Sequence, residues 1–434
     1  MLYAGVSERV ITPDFPTLLA GYPFPQDRYH TSVHDDLMAH CFYLRNGETE
    51  VAIITLDLIC FTKRRVKMVR EHIRRTCGIP EKNIIISATH THSGPVCGSV
   101  PFEFWDDRKE MYPYFLDQVC IKIINGIKEA KLNAFPAKIA MGKGYCGKEQ
   151  GVGGNRRHKD GPADPDVWVT AIKDQNDKLR GVLVNYALHP TFLHAESKVI
   201  TADYPAYIYE YFKKQDNELV VGFQTGAAGN QSSRHFRTGQ TFEEAKRVGY
   251  AIASEAERVI AELFFDNNPK LFTDCKEIMP SLKHIPSLEE AKAKKEEAER
   301  GLENSRKNNE PYAIQRTWEC TTFGANRMYR IAKAGKEVLE GMLTNSPFEI
   351  FVLGIGDNRI VTVPCEIFVE YALRLKKESP YKNTYLASTS NGYGSGYVYT
   401  PESLKEGGYE PLGSIYADTV GDEIVDAALE LLRK

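Results

Sequence analysis

The chain of 434 residues is long enough for one large domain or two. With 42% hydrophobic residues, 26% charged residues and a formal net charge of -3, it has an ordinary globular composition and no basic field for nucleic acid. No apolar run reaches the roughly 18 residues of a transmembrane helix, and the first nine residues lack the basic-then-apolar pattern of a secretory signal. Nine cysteines, an odd number without framework spacing, fit reduced thiols, so the expected setting is cytoplasmic.

In chain order, apolar runs predict strands over 51–59, 83–88, 167–172, 181–187, 219–224, 348–353, 359–363 and 384–388. Helical patterns interleave with them. One covers 63–76, with Val66, Val69 and Ile73 on its apolar stripe. Thr241 and Glu244 form a capping-box signature ahead of Val248, Ile252, Val259, Ile260 and Leu263, and a last helix covers 423–433. The alternation predicts an α/β fold with a large mixed β-sheet core and flanking helices, forming a single catalytic domain over 1–434. Residues 286–310 break the pattern. Ser287 and Glu290 make a second capping box before Glu- and Lys-rich sequence, which reads as a solvated helix or helical hairpin without chemistry of its own.

Chemistry concentrates where predicted strands end. The run Ile84-Ile85-Ile86 is followed by Ala88-Thr89-His90-Thr91-His92-Ser93-Gly94-Pro95. Strand alternation would project His90 and His92 to the same side. A second run delivers His189 ahead of Pro190, and a third is followed by Pro364-Cys365-Glu366, with Glu366 placed where a helix would begin. Strand ends are where ligands collect in α/β sheets. Two glycine-rich segments follow: 226–233, and 391–397 with its continuation to Tyr409. Tyrosines there are phenol donors or metal ligands, with Tyr393 and Tyr399 read as aromatic packing. Absent are a Gly-x-Ser-x-Gly elbow, a His-Glu-x-x-His motif, a Walker A loop and a dinucleotide fingerprint.

Taken in order, several blocks resemble the catalytic domain of the neutral/alkaline non-lysosomal ceramidase family. They are Ala4-Gly5-Val6 with Ile11-Thr12-Pro13, 88–95, Asn155-Arg156, 185–191, Ala202-Asp203-Tyr204-Pro205, 229–232, Pro364-Cys365-Glu366 and 397–409. The resemblance implies a zinc amidase that cleaves an N-acyl bond with a zinc-activated water. It implies zinc (Zn2+) held by His90, His189, Glu366 and Tyr397, with substrate and transition-state contacts from His92, Arg156, Ser232 and Tyr409. Tyr397 is chosen over Tyr393 because it precedes Val-x-Thr and stands twelve residues before Tyr409.

Departures limit the transfer. The family's Gly-Asp-x-Ser reads Gly229-Asn230-Gln231-Ser232 here, and Ser233 replaces the usual proline. The family's C-terminal β-sandwich domain and any lipid-docking helix are expected to be absent. The expected partner is therefore a small polar N-acyl substrate. A true ceramidase, an ester or lactone hydrolase on the same zinc site, a non-catalytic binder, and a cysteine hydrolase using Cys97 or Cys365 stand as alternatives.

Overall fold

The structure, a computed structural model, describes residues 1–22, 27–98, 110–394 and 396–434. Ser395, in the tyrosine- and glycine-rich segment, lies outside them. The first eight long strands are β1 (Leu2–Val10), β2 (Met38–Asn46), β3 (Thr49–Leu56), β4 (Ile84–Ala88), β5 (Phe135–Tyr145), β6 (Asp166–Asp174), β7 (Leu179–Tyr186) and β8 (Val220–Thr225). They form one sheet in the order β8-β7-β6-β5-β1-β2-β3-β4. Only the two outermost pairs, β8 with β7 and β3 with β4, are parallel. The sheet is mixed, as the sequence predicts.

Each central strand is buried on both faces, so its residues divide by parity. Ala39, Cys41 and Tyr43 of β2 pack with the helices α1 (Lys63–Cys77), α2 (Pro113–Leu132), α3 (Tyr204–Lys213) and α4 (Phe242–Glu262). Phe42 and Leu44 face the other way, into a core shared with Phe351, Leu353 and Tyr385. Those three belong to a second sheet: β9 (Leu271–Ile278), β10 (Phe348–Ile355), β11 (Asn358–Thr362) and β12 (Asn383–Ala387). Its far face is covered by α7 (Val369–Glu378) and α8 (Val420–Leu432), with α5 (Leu288–Lys307) and α6 (Tyr312–Ala334) pairing beside it. The architecture is therefore four layers, α/β/β/α. The runs at 348–353, 359–363 and 384–388 are strands, but of this second sheet and not of the large one. Period and hydrophobicity reveal a buried strand, not which sheet it joins.

The large sheet curls until its edges meet. A Cβ on Gly222 of β8 would lie 2.8 Å from the Phe42 ring, so only glycine admits this approach. The Gln224 amide donates to Ser87 Oγ at 3.0 Å, and Thr225 Oγ1 donates to the Thr89 carbonyl at 2.6 Å. The chain after β12 stitches the same seam, with Ser388 N donating to Thr225 O and Ala88 N to Thr389 O. The loops after β4, β7 and β12 thus reach one place although their strands are remote in sheet order.

Two caps behave differently. Ser287 and Glu290 form the full reciprocal box at the start of α5. At α4, Thr241 accepts from Glu244 N, but the Glu244 carboxylate turns to Arg247 and to Thr238 N. The arginine at i+3 outcompetes the Thr241 amide for it. Among the described residues no helix is long and apolar enough to cross a membrane.

Candidate metal centre and cleft

His90, His92 and His189 meet at the seam, all buried, with candidate ligand nitrogens within 4.8 Å of one another. His90 Nδ1 lies 2.7 Å from the Ile59 carbonyl, and His189 Nδ1 lies 2.6 Å from the Ala228 carbonyl. Each contact requires a proton on Nδ1, which leaves Nε2 as the free coordinating atom. Both Nε2 atoms turn to Glu366 Oε2, at 3.3 Å from His90 and 3.1 Å from His189.

Burial raises the Glu366 carboxyl, but the opposing histidines outweigh it and hold it well below the usual range. Burial, then Arg156, pushes His189 down to about 4. Two imidazole lone pairs and a carboxylate oxygen facing one another is an arrangement that a cation resolves.

The local geometry departs from the sequence expectation at three points. His90 and His92 do converge, with ring centroids 5.1 Å apart, but not by strand alternation. The strand stops at Ala88, and His90 adopts φ 67°, a left-handed turn fixed by its amide donating to Leu58 O. Glu366 does not begin a helix. It lies in a two-residue strand, Glu366–Ile367, paired in parallel with Tyr397–Val398, and α7 starts at Val369. That pairing places Glu366 opposite Tyr397. Tyr393 is not simple packing, because its hydroxyl donates to Glu366 Oε1. Tyr399 is packing, with its hydroxyl on the Tyr416 carbonyl.

His92 differs from its neighbours: both ring nitrogens are buried without a hydrogen-bond partner. Its ring rests on Gly21, where φ is 96° and a Cβ would come within 2.3 Å of the imidazole. Tyr22 abuts the other side, ring centroids 5.1 Å apart. Above His92 lies a cleft of about 60 Å³ that also touches Arg156, Ser232, Tyr397 and Tyr409.

Arg156 donates through Nε to Glu410 at 2.8 Å and stacks over Tyr397, 5.3 Å from its centroid, while its buried Nη2 has no partner. Ser232 Oγ accepts from Arg234 N. Tyr409 opens the one-turn helix Tyr409–Gly413 after two left-handed glycines, and its ring lies 5.3 Å from that of Tyr397. Five of the eight residues singled out by sequence thus line this cleft, and the other three, His90, His189 and Glu366, meet one another beside His92. Cys365 is fully buried, and burial pushes its thiol up; neither it nor Cys97 is among the described residues lining the cleft.

Sequence reasoning did not single out Arg234, Arg237 or Arg316, which line the cleft, or Glu410, which holds Arg156 from behind. Asn230, where the family pattern has aspartate, donates to both oxygens of Glu370 and accepts from Val369 N. An aspartate there would oppose a carboxylate with a carboxylate.

A profile described as "Neutral/alkaline non-lysosomal ceramidase, N-terminal" matches residues 4–246, more than half of the chain. The chain belongs to this family. The neutral ceramidase of Pseudomonas aeruginosa is 25% identical over 214 residues, 42% of this chain and 31% of that protein. Neutral ceramidase B of Dictyostelium discoideum is 23% identical over 192 residues, 41% of this chain and 27% of that protein. The aligned stretch is thus less than a third of either relative. The crystal structure of the P. aeruginosa neutral ceramidase superposes with a TM-score of 0.75 at 17% identity, over 100% of this chain and 74% of that one. A structure described as a ceramidase complexed with C2 gives 0.72 at 15% identity, covering 99% of this chain and 75% of that one. At such identities the likeness is one of fold.

Proposed function

We propose that this protein is a zinc-dependent amidohydrolase that cleaves the N-acyl bond of a small polar substrate. The observation that carries the reading is the convergence of His90 Nε2 and His189 Nε2 on Glu366 Oε2, with both Nδ1 atoms committed to carbonyls. The donor set fits the metal. Two imidazoles, a carboxylate and the phenol of Tyr397 are the N and O ligands that zinc accepts. Bound there, zinc supplies Lewis acidity and a water whose pKa falls to about 7.

The rest of the site handles the amide. In hydrolysis the oxygen of water joins the acyl carbon, the C–N bond breaks and a proton reaches the departing nitrogen. His92 would hold or pass that proton, since no described residue occupies its ring nitrogens. Tyr409 offers a phenol to the developing oxyanion. Arg156, fixed by Glu410, and Ser232 orient the substrate. Nine free cysteines support a reducing, cytoplasmic setting.

A ceramide-like substrate is the second reading, and one feature favours it. A cavity of about 510 Å³, touched by Trp318, Leu404 and Leu412, lies behind Arg234, Cys320 and Tyr409 and has room for an alkyl chain if that partition opens. As it stands, the cleft at His92 is far smaller than the ~300–1,000 Å³ of typical ligand sites.

Metal analysis of protein purified without added metal, with hydrolysis assays on short N-acyl amines and on ceramide in mixed micelles, tests both readings. About one zinc per chain and preference for the short amides is the expected result. Less than about 0.2 zinc per chain, unrestored by dialysis against zinc, ends the metal reading. Cleavage of ceramide alone selects the second substrate class.

A further inference from the structure

The walls of the cleft carry a charge that amide hydrolysis alone does not need. Arg156, Arg234, Arg237 and Arg316 all line it, and no aspartate or glutamate does among the described residues. Among the described residues the Arg234 guanidinium meets only neutral acceptors: the Arg156 carbonyl, Thr317 Oγ1 and Cys320 Sγ. Arg237 donates to the Thr191 carbonyl at 2.9 Å. Arg316 pairs with Glu319 of its own helix, one turn away. Arg156 spends Nε on Glu410 but leaves Nη2 buried and unpartnered, and His194 Nε2, elsewhere on the cleft lining, is likewise buried without a partner. Burial, then Arg316, pushes His194 down to about 4, so it adds a neutral ring and no further cation, with Nδ1 turned to the exposed Glu196 at 3.0 Å.

Arg156 and Arg316 have carboxylate partners outside the cleft, but Arg234 and Arg237 have none among the described residues. Crowding them beside two further guanidinium groups is costly unless an anion completes the set. We infer that this mouth binds a carboxylate carried by the substrate, so that the substrate class is an N-acylated amino acid. The inference rests on the amidohydrolase reading of the same site and narrows it. An N-acyl amino acid sets its carboxylate one carbon away from the amide nitrogen, and so places both groups within a small cleft. The planar fork of arginine matches a carboxylate with two parallel hydrogen bonds. The cations also come from separate elements. Arg234 and Arg237 follow Ser232 on its loop, whereas Arg316 comes from α6 across the cleft.

The test separates binding from turnover. Titration calorimetry on the full-length protein as purified uses the non-hydrolysable probe N-methylsulfonylglycine, its neutral carboxamide, and inorganic phosphate. Kinetics use N-acetylglycine and N-acetylglycinamide. Arg237→Gln and Arg316→Gln, on different elements, are each compared with the unaltered protein, so that one decides if the other fails to fold. The acid probe should bind at least about 10-fold more tightly than its carboxamide and lose about 10-fold or more in each variant, the scale of a hydrogen bond to a charged group. The carboxamide should bind equally to all three proteins, and kcat/KM should follow the same order.

Equal binding of acid and carboxamide, or undiminished acid binding in the folded variants, overturns the inference. Phosphate binding more tightly than the acid probe overturns the carboxylate assignment. Arginine-dependent binding of the acid without any hydrolysis keeps the anion site and ends the amidohydrolase reading. Cleavage of the neutral amide alone does the reverse.

Discussion

The floor and the mouth of this cleft are built on opposite electrostatic logic. At the floor, His90, His189 and Glu366 face one another with their outer atoms already committed: Nδ1 to carbonyls and Oε1 to Tyr393. What remains free there is a cluster of lone pairs. At the mouth, Arg234 and Arg237 have no carboxylate partner among the described residues, and what remains free is a cluster of N–H donors. Burial magnifies both imbalances, because charge in a low-dielectric surround is screened less than in bulk water. A cation answers one and an anion answers the other.

The largest expected effect strikes the floor. Glu366→Gln keeps the shape of the side chain but removes the charge that both Nε2 atoms address. Zinc content should fall below about 0.2 per chain and turnover by about 10³-fold or more, as expected when a charged ligand of a catalytic metal is lost. Metal analysis together with an N-acyl hydrolysis assay reads both. If zinc stays near one per chain, the floor is not built for a cation and the contrast with the mouth collapses.

Tyrosines mark where floor gives way to mouth. Tyr409→Phe should keep the metal and slow turnover by about 10²-fold, the usual scale for losing an oxyanion donor. Tyr397→Phe should weaken metal binding by removing a ligand oxygen. Tyr393→Phe strips a donor from Glu366 Oε1 and should cost about 10–100-fold in metal affinity, as the loss of a hydrogen bond supporting a ligand does. Zinc titration of the three variants decides. If Tyr393→Phe empties the site while Tyr397→Phe keeps it filled, the coordinating phenol is Tyr393.

The residues of the floor, and Arg156, Ser232 and Tyr409 of the mouth, were legible in the sequence, whereas Arg234, Arg237 and Arg316 were not, for a physical reason. His90, His189 and Glu366 each follow a buried strand, and strand ends are recognisable from short apolar runs. Their convergence, however, depends on the curl of the sheet at Gly222 and on the left-handed turn at His90, neither of which has a local signature. β5 hides for a related reason. Its Pro136, Gly142 and Gly144 read as breakers, yet a Cβ on Gly142 would lie 2.4 Å from Leu263, so the glycine leaves room for the end of α4. Arg316 stands in a helix just beyond the charged 286–310 segment, in sequence that reads as surface. Which face of α6 turns to the cleft is decided by tertiary packing against α5 and Tyr409–Gly413. The 286–310 segment does form a helix and pairs with α6 as a hairpin, so it bears on the site through its partner.

A third test probes the strut between the two regions. Asn230 joins the loop before Ser232 to α7, holding Glu370 through both of its oxygens. Burial raises the Glu370 carboxyl. Asn230→Asp restores the family's residue but sets two carboxylates together in a partly buried place. A loss of about 2 kcal/mol at neutral pH is expected, shrinking as pH falls and one carboxylate takes a proton. Urea unfolding at two pH values measures it. Unchanged stability at neutral pH would mean that the Asn230–Glu370 pair is not what holds this loop.

The smallest effect tests how far the cationic surplus of the mouth extends. Behind Tyr409, the Lys283 ammonium donates to the Pro411 carbonyl, and burial, then Arg327, pushes its pKa down to about 7. Above that value the folded amine is neutral, whereas the unfolded chain keeps the proton up to the ordinary lysine value of 10.5. Unfolding therefore takes up a proton across this window, and the contribution of Lys283 to stability rises with pH from about 7 toward 10. Below pH 7 both states are charged, and the cost of the buried cation is felt in full. Lys283→Met removes the titration. The variant should gain about 1 kcal/mol relative to the unaltered protein near pH 6 and lose that advantage by about pH 10. Chemical denaturation across this range provides the curves. An advantage that does not change with pH would show that Lys283 keeps its proton throughout, and that the positive field of the mouth stops at Tyr409.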